Sequence, residues 1–285
     1  MATALFAREK LIATARSLPA APQVLTELGQ LLQDINVELD QIADLLKRDA
    51  ALAARIIRIS NSTVFGGSGR IAAIEEAVNR VGFSEVYRLV GIATTSRLAD
   101  RALAYYQVDA EKLREHMFCT AVAAETIAEL AGVSSRDAYT AGLMRSIGML
   151  ILDRVAREKL ILSQAYDGAK YQGYLEWEGQ LFGIGNAEVT ALILEDWRFP
   201  PELIEGLRHH YLLGDESYGN RFACLLNLAG HVVNEVGCAL PGELPYWTPS
   251  PRKFEAAGFR EERLGDAIER TRERFEKQRS SLHGA

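Results

Sequence analysis

The chain has 285 residues, 48% of them hydrophobic and 25% charged, with a net charge of -6. That balance supports a sizeable core in one large domain or two smaller ones, and it excludes the overall basic footprint that sequence-independent nucleic-acid binding needs. Three cysteines, Cys119, Cys224 and Cys238, make neither a C-x-x-C pair nor an even disulfide framework, so reduced and buried thiols are expected. Arg8, Glu9 and Lys10 interrupt the N-terminus where a signal peptide needs an apolar run, and nothing approaches the ~20 apolar residues that span a bilayer. The expectation is a soluble, cytoplasmic protein without membrane insertion or nucleic-acid partners.

Helical periodicity dominates and strand-like alternation is nearly absent, which predicts an all-α fold. Val24, Leu25, Leu28, Leu31 and Leu32 form one stripe of a helix starting near Pro22. Ile42, Leu45 and Leu46 form a second stripe, and Leu52, Ile56 and Ile59 a third. Gly66-Gly67-Ser68-Gly69 breaks the pattern. Ile74, Ala77, Val78 and Val81 resume it, Gly82 stops that helix, and Ser84 is the expected N-cap of the next. Residues 100–109, with Tyr105-Tyr106, connect to a second helical region.

In that region helices are expected near 110–131, 135–155, 159–172, 187–197, 201–212 and 220–236. Asn186 precedes one as N-cap, and Pro200-Pro201 opens another. Residues 241–251 hold four prolines and are expected as an extended loop, followed by a charged helix over 260–278 anchored by Leu264, Ile268 and Phe275. The resulting division is an N-terminal helix or arm (1–17), an N-terminal helical subdomain (18–105), a second helical subdomain (106–240), and a proline-containing loop with a charged C-terminal helix (241–285).

Four segments carry a family resemblance: Leu18-Pro19-Ala20-Ala21-Pro22, Leu45-Leu46-Lys47-Arg48-Asp49, Arg58-Ile59-Ser60-Asn61-Ser62, and Ile74-Glu75-Glu76-Ala77-Val78-Asn79-Arg80-Val81-Gly82. In this order and spacing they resemble the HDOD domain, and the resemblance extends from Leu18 to about Gln278. It implies an N-terminal helical bundle packed on a degenerate relative of the HD-type metal phosphohydrolase bundle. It also implies a non-catalytic regulatory role in bacterial signal transduction, through protein–protein interaction with signalling proteins. Asn61 and Ser62, the most distinctive step, are expected to turn the chain and satisfy the last carbonyls of a helix. A contact to a ligand or partner is the functional alternative for this pair.

The resemblance also implies where an HD-type site would lie. His116 falls at the first histidine. Arg145 and Ser146, inside Thr140–Leu150, replace the metal-binding His-Asp pair. Asn186 stands at another histidine, His209-His210 matches a histidine pair, and Gly230 stands where the hydrolases have their final aspartate. Such hydrolysis needs metal held by histidines and carboxylates to lower the pKa of a bound water. Arginine has five donors and no lone pair, and every carboxylate at these positions is gone.

A vestigial cavity without catalytic residues, metal or cofactor is therefore expected. A zinc site from His116, one of the pair and His231 fits by ligand type alone. His209 and His210 lie about 100° apart on a helix and cannot both face one ion. The alternatives are a degenerate metal-dependent phosphohydrolase, and a phosphate- or nucleotide-sensing module in which Arg145 binds a small anionic ligand. Without such a ligand, a buried Arg145 needs an internal acid.

Overall fold

A computed structural model of the chain describes residues 8–16, 21–32, 34, 36–61, 69–159 and 162–283. The described residues form fifteen α-helices and several short 3-10 turns, joined by loops, and contain no strand beyond an isolated bridge between Leu103 and Val108. No described helix is long and apolar enough to cross a membrane. The chain divides into two compact units, one of Met1–Leu18 with Ala99–Phe275 and the other of Pro19–Leu98 with Glu276–Ala285. The larger unit begins with α1 (Arg8–Ala15), which packs on two later helices of that unit.

The smaller unit holds α2 (Ala21–Leu31), α3 (Leu39–Lys47), α4 (Ala50–Ser60), α5 (Ile74–Val81) and α6 (Phe83–Leu98). The apolar stripes read from the sequence meet in its core: Leu25, Leu28, Ile42, Leu46, Leu52, Ile56, Ala77 and Val78 are fully buried. Asp49 caps α4 by accepting from the amides of Ala51 at 3.1 Å and Leu52 at 3.0 Å, and Arg97 of α6 donates to the same carboxylate. Asn61 ends α4, but its side chain does not serve that helix's carbonyls. Its Nδ2 donates to the Ile71 carbonyl at 2.9 Å and its Oδ1 accepts from the Ile71 amide at 2.8 Å, which clips the two ends of the intervening segment together. Ser62, residues 66–68 and Leu18-Pro19-Ala20 lie outside the described residues. Ser84 is not a cap, because α6 starts at Phe83 directly after Gly82, whose φ of 81° ends α5.

The larger unit continues with α7 (Ala110–Ala131), α8 (Ser135–Met144), α9 (Ile147–Lys159), α10 (Tyr174–Leu181), α11 (Asn186–Asp196), α12 (Pro201–His209), α13 (Arg221–Val236), α14 (Pro251–Ala257) and α15 (Leu264–His283). The last turns of α15 belong to the smaller unit. α7 is buried on nearly every side and packs against α8 and α13, while α9 and α12 pack on α11. α1 rests on α9 and α11. The three cysteines are free and buried.

Several expected elements are corrected. The single helix over 135–155 is two, broken at Arg145-Ser146. Both halves are buried almost all round, so no change of periodicity marks the break. The helix over 159–172 is replaced by a 3-10 turn, Leu162–Gln164, and by a turn in which Asp167 accepts from the Ala169 amide at 2.9 Å. α10, which follows, was not anticipated. The proline-rich stretch is a 3-10 helix, Pro241–Tyr246, and then α14. The C-terminal helix buries Ala267, Thr271 and Phe275, while Leu264 and Ile268 are only half-buried. Residues 8–16 and 241–275 are parts of the larger unit.

α9 and α11 approach so closely that a Cβ on Gly148 would sit 1.9 Å from the Asn186 carbonyl oxygen. Gly148→Ala is expected to lower the unfolding free energy by ~1–3 kcal/mol or more, as overpacking does. Gly179 lies inside α10 with nothing within 4 Å of the added methyl, so Gly179→Ala should raise stability. The gain expected for Gly179→Ala is up to ~1 kcal/mol. Urea unfolding followed by circular dichroism checks both.

Candidate functional site

The break between α8 and α9 frees backbone groups in a buried place. Thr190 of α11 takes up two of them: its hydroxyl accepts from the Gly148 amide at 2.9 Å and donates to the Arg145 carbonyl at 3.2 Å. The side chain of Arg145 turns inward and is only 2% exposed.

There it meets Glu243, a fully buried carboxylate on the 3-10 helix Pro241–Tyr246. Nη1 donates to Oε1 at 2.7 Å and Nη2 to Oε2 at 2.9 Å, the parallel geometry in which guanidinium and carboxylate bind most strongly. Nη2 also lies 2.5 Å from Nε2 of His116. The other ring nitrogen of His116 is 2.8 Å from the Cys238 carbonyl, which can only accept. Nδ1 therefore carries the hydrogen, and the Nε2 lone pair faces the guanidinium. Burial, followed by the charge of Arg145, pushes His116 down to about 4, which keeps the ring neutral. Its 3.5 Å approach to Glu243 is thus a contact of a neutral ring and not an ion pair.

Trp247 lies 5.1 Å beneath the guanidinium, and the Tyr211 hydroxyl donates to Glu243 Oε1 at 2.7 Å. Burial pushes the Glu243 carboxyl up, but the charge and hydrogen bonds of Arg145, with the Tyr211 hydroxyl, outweigh it and hold the group well below the usual carboxylate range.

A second buried carboxylate stands beside this pair. Glu178 of α10 accepts from the Tyr106 hydroxyl at 2.6 Å, the Asn186 amide at 2.7 Å and Asn186 Nδ2 at 2.9 Å. Asn186 is thus not the N-cap of α11. Gly185 holds that position, and the capping acceptor is Glu178, brought in from the preceding helix. Burial lifts Glu178 to about 7 despite these donors. Tyr211 links the two carboxylates, since its hydroxyl also lies 3.2 Å from Asn186 Oδ1. Tyr174 and Trp177 pack edge-on against Tyr106 at 5.0 and 4.9 Å.

The histidine pair splits. His210 is fully buried; its Nδ1 donates to the Leu207 carbonyl at 2.5 Å, and its ring lies 4.1 Å from that of Tyr211. Burial and the nearby Arg145 push it down to about 3. His209 points away, half-exposed, 3.5 Å from Glu205. At Gly230 a Cβ would fall 2.6 Å from the Trp247 indole, so the residue at the resembled aspartate position makes room for the tryptophan. Ser146 is buried beside Arg145, and its hydroxyl has no hydrogen-bond partner among the described residues.

One contact network therefore joins His116, Arg145, Asn186, His210 and Gly230, and leaves out His209 and Asn61. The sequence reading missed Glu243, Glu178, Tyr211, Trp247 and Thr190. The signal for Glu243 was the demand of a buried arginine for an acid, but the chain offers 38 acidic residues and no spacing rule to choose one. These donors do not fit a divalent cation. The free lone pair of His116 is taken by a guanidinium, and among the described residues no three His, Cys, Asp or Glu side chains converge as a metal-binding set.

Arg145→Met leaves Glu243 buried without a counter-charge, and a loss of ~3–5 kcal/mol is expected. Adding Glu243→Met should recover most of that loss, since two apolar residues can replace a buried pair at little cost. A double-mutant cycle by urea unfolding measures this. His210 has a folded pKa of about 3, below its unfolded value of about 6.5, so its contribution is full above pH 6.5 and is lost as pH falls toward 3. The parent should lose about 1.4 kcal/mol more per pH unit than His210→Phe across that window, read as unfolding free energy against pH.

Residues 18–213 match the family profile of the HDOD domain. An HDOD domain protein of unknown function from Geobacter sulfurreducens superposes with a TM-score of 0.71 at 18% identity, covering 96% of this chain and 98% of that one. A Shewanella amazonensis protein provisionally described as a phosphohydrolase gives 0.60 at 21%, covering 96% of each chain. A Marinobacter aquaeolei protein provisionally described as a signal transduction protein gives 0.66 at 21%, covering 97% of this chain and 64% of that one. A Treponema pallidum (strain Nichols) protein is 26% identical over 198 residues, which are 69% of this chain but 38% of that protein's length. With the profile matching more than half of its length, the chain belongs to the HDOD domain family.

Proposed function

We propose that this protein is a non-enzymatic signal-transduction protein that acts by binding protein partners, with an HD-type cavity converted from a metal site into an internal ion pair. The observation that carries the reading is the bidentate Arg145–Glu243 pair, with His116 as third member. In a metal-dependent hydrolase these positions would have to present lone pairs to a cation. Here they present a guanidinium whose two terminal nitrogens are already committed, a neutral serine, and a glycine covered by indole.

The same commitment disfavours the phosphate- or nucleotide-sensing alternative. An anion reaching Arg145 would have to displace a carboxylate that is itself buried and held by Tyr211. The protein-binding reading instead leaves the pair intact as part of a rigid scaffold that carries contact surfaces.

Hydrolysis of bis(p-nitrophenyl) phosphate, cyclic dinucleotides and nucleoside triphosphates, in the presence of manganese or zinc, is expected to equal that of buffer. Metal-dependent turnover that disappears in His116→Ala would overturn the non-enzymatic reading.

A further inference from the structure

The Tyr211 hydroxyl touches the buried network, and the same residue lines a surface groove of about 300 Å³ between α10, α11 and the turn after α12. Leu175, Ala187, Tyr211 and Leu212 give it an apolar wall, and Leu213 stands at its edge with 71% of its surface exposed. Leu213 is the most exposed large hydrophobic among the described residues. It is held there by Leu212, whose φ of 55° lies in the left-handed region. For a residue with a Cβ that conformation costs on the order of 1–3 kcal/mol, and such strain concentrates at binding surfaces.

The charge around the groove is one-sided. Glu188 and Glu216 line it, and Arg208 is shared among Glu188, Glu195 and Glu205. Glu195 has one further cation, Arg8 at 3.0 Å. Of the charged residues that line the groove, Arg208 is thus already taken up by Glu188 and its two neighbouring glutamates, and Glu216 has no ion pair among the described residues, which leaves the rim net negative. An apolar wall inside a negative rim complements an apolar side chain flanked by cations, and it disfavours an acidic segment.

We infer that this groove is the docking site for a partner protein, through a short segment that inserts an apolar side chain and carries lysine or arginine on either side. The inference rests on the protein-binding reading and names the chemistry of its partner. An exposed leucine beside an aromatic wall supplies the anchor, and the acidic rim supplies orientation and partner choice.

Fluorescence anisotropy of the full chain with three labelled peptides tests it: one with a central Leu-Phe flanked by lysines, one with the same centre flanked by glutamates, and one with Ser-Ser between lysines. The lysine-flanked apolar peptide should bind at least tenfold more tightly than the other two. Leu213→Ser, at an exposed position, should weaken it at least tenfold. Glu216→Lys should weaken it as well and narrow the gap to the glutamate peptide. Leu244→Ser, an exposed leucine not among the residues lining the groove, should leave binding unchanged. Equal affinity for the two charge types, insensitivity to Leu213→Ser, or no binding of the lysine-flanked peptide up to about 1 mM would overturn the inference. Because the assay contains no metal or phosphoester, a failure here leaves the non-enzymatic reading standing. Turnover in the hydrolysis assay would fail that reading without altering the peptide result.

Discussion

A guanidinium placed at the buried break between α8 and α9 has to find a carboxylate, because an unpaired charge in that environment is too costly to keep. Much of the larger unit's interior is arranged around that requirement. Glu243 supplies the charge, the 3-10 helix Pro241–Tyr246 delivers it, Trp247 covers the guanidinium from one side, and Gly230 leaves space for the indole. Thr190 closes the backbone break from which Arg145 projects. The net stabilisation from a buried pair is small beside the penalty for removing one partner. Its consequence is therefore less a gain in stability than a restriction: residues 241–247 have one place to sit.

The network shifts two carboxylates in opposite directions. Glu243, against Arg145, stays charged far into acid; Glu178 is held by neutral donors alone, and burial lifts it to about 7. His116 and His210 are neutral rings that each donate Nδ1–H to a backbone carbonyl. The lone pair of His116 is spent on Arg145, while the Nε2 of His210 has no partner among the described residues. The side chains of the network thus pair with one another and form a buried scaffold. Through Tyr211, that scaffold reaches the wall of the acidic-rimmed groove.

Periodicity made most of the helices legible, because the stripe Leu52, Ile56, Ile59 or the run Ala110–Ala131 reports burial on one helix directly. It could not reveal the break at Arg145-Ser146, where helices buried on all sides meet without a change of pattern. Nor could it reveal α10, a short helix whose inward residues include the polar Glu178. That arginine cannot be a metal ligand followed from residue type alone, and the need for an internal acid followed from burial of its charge. The identity of that acid did not: Glu243 lies 98 residues from Arg145, between two prolines in a stretch that reads as loop. Asn186 looked like a cap because its type and position suit one, whereas a buried glutamate from another helix took that role.

Amide hydrogen exchange over residues 239–247, in the parent and in Glu243→Gln, tests most directly whether the ion pair fixes this segment. The diagnostic amides are Glu243 and Trp247, which donate to Leu240 and Leu244 within the 3-10 turn. If the pair is the constraint, these amides exchange in the parent only through global unfolding. In Glu243→Gln, whose neutral amide cannot balance the guanidinium, they should exchange by local opening at least tenfold faster, relative to the amides of α7. Rapid exchange in the parent, or equal protection in the two proteins, would contradict the claim that the Arg145–Glu243 pair fixes this segment.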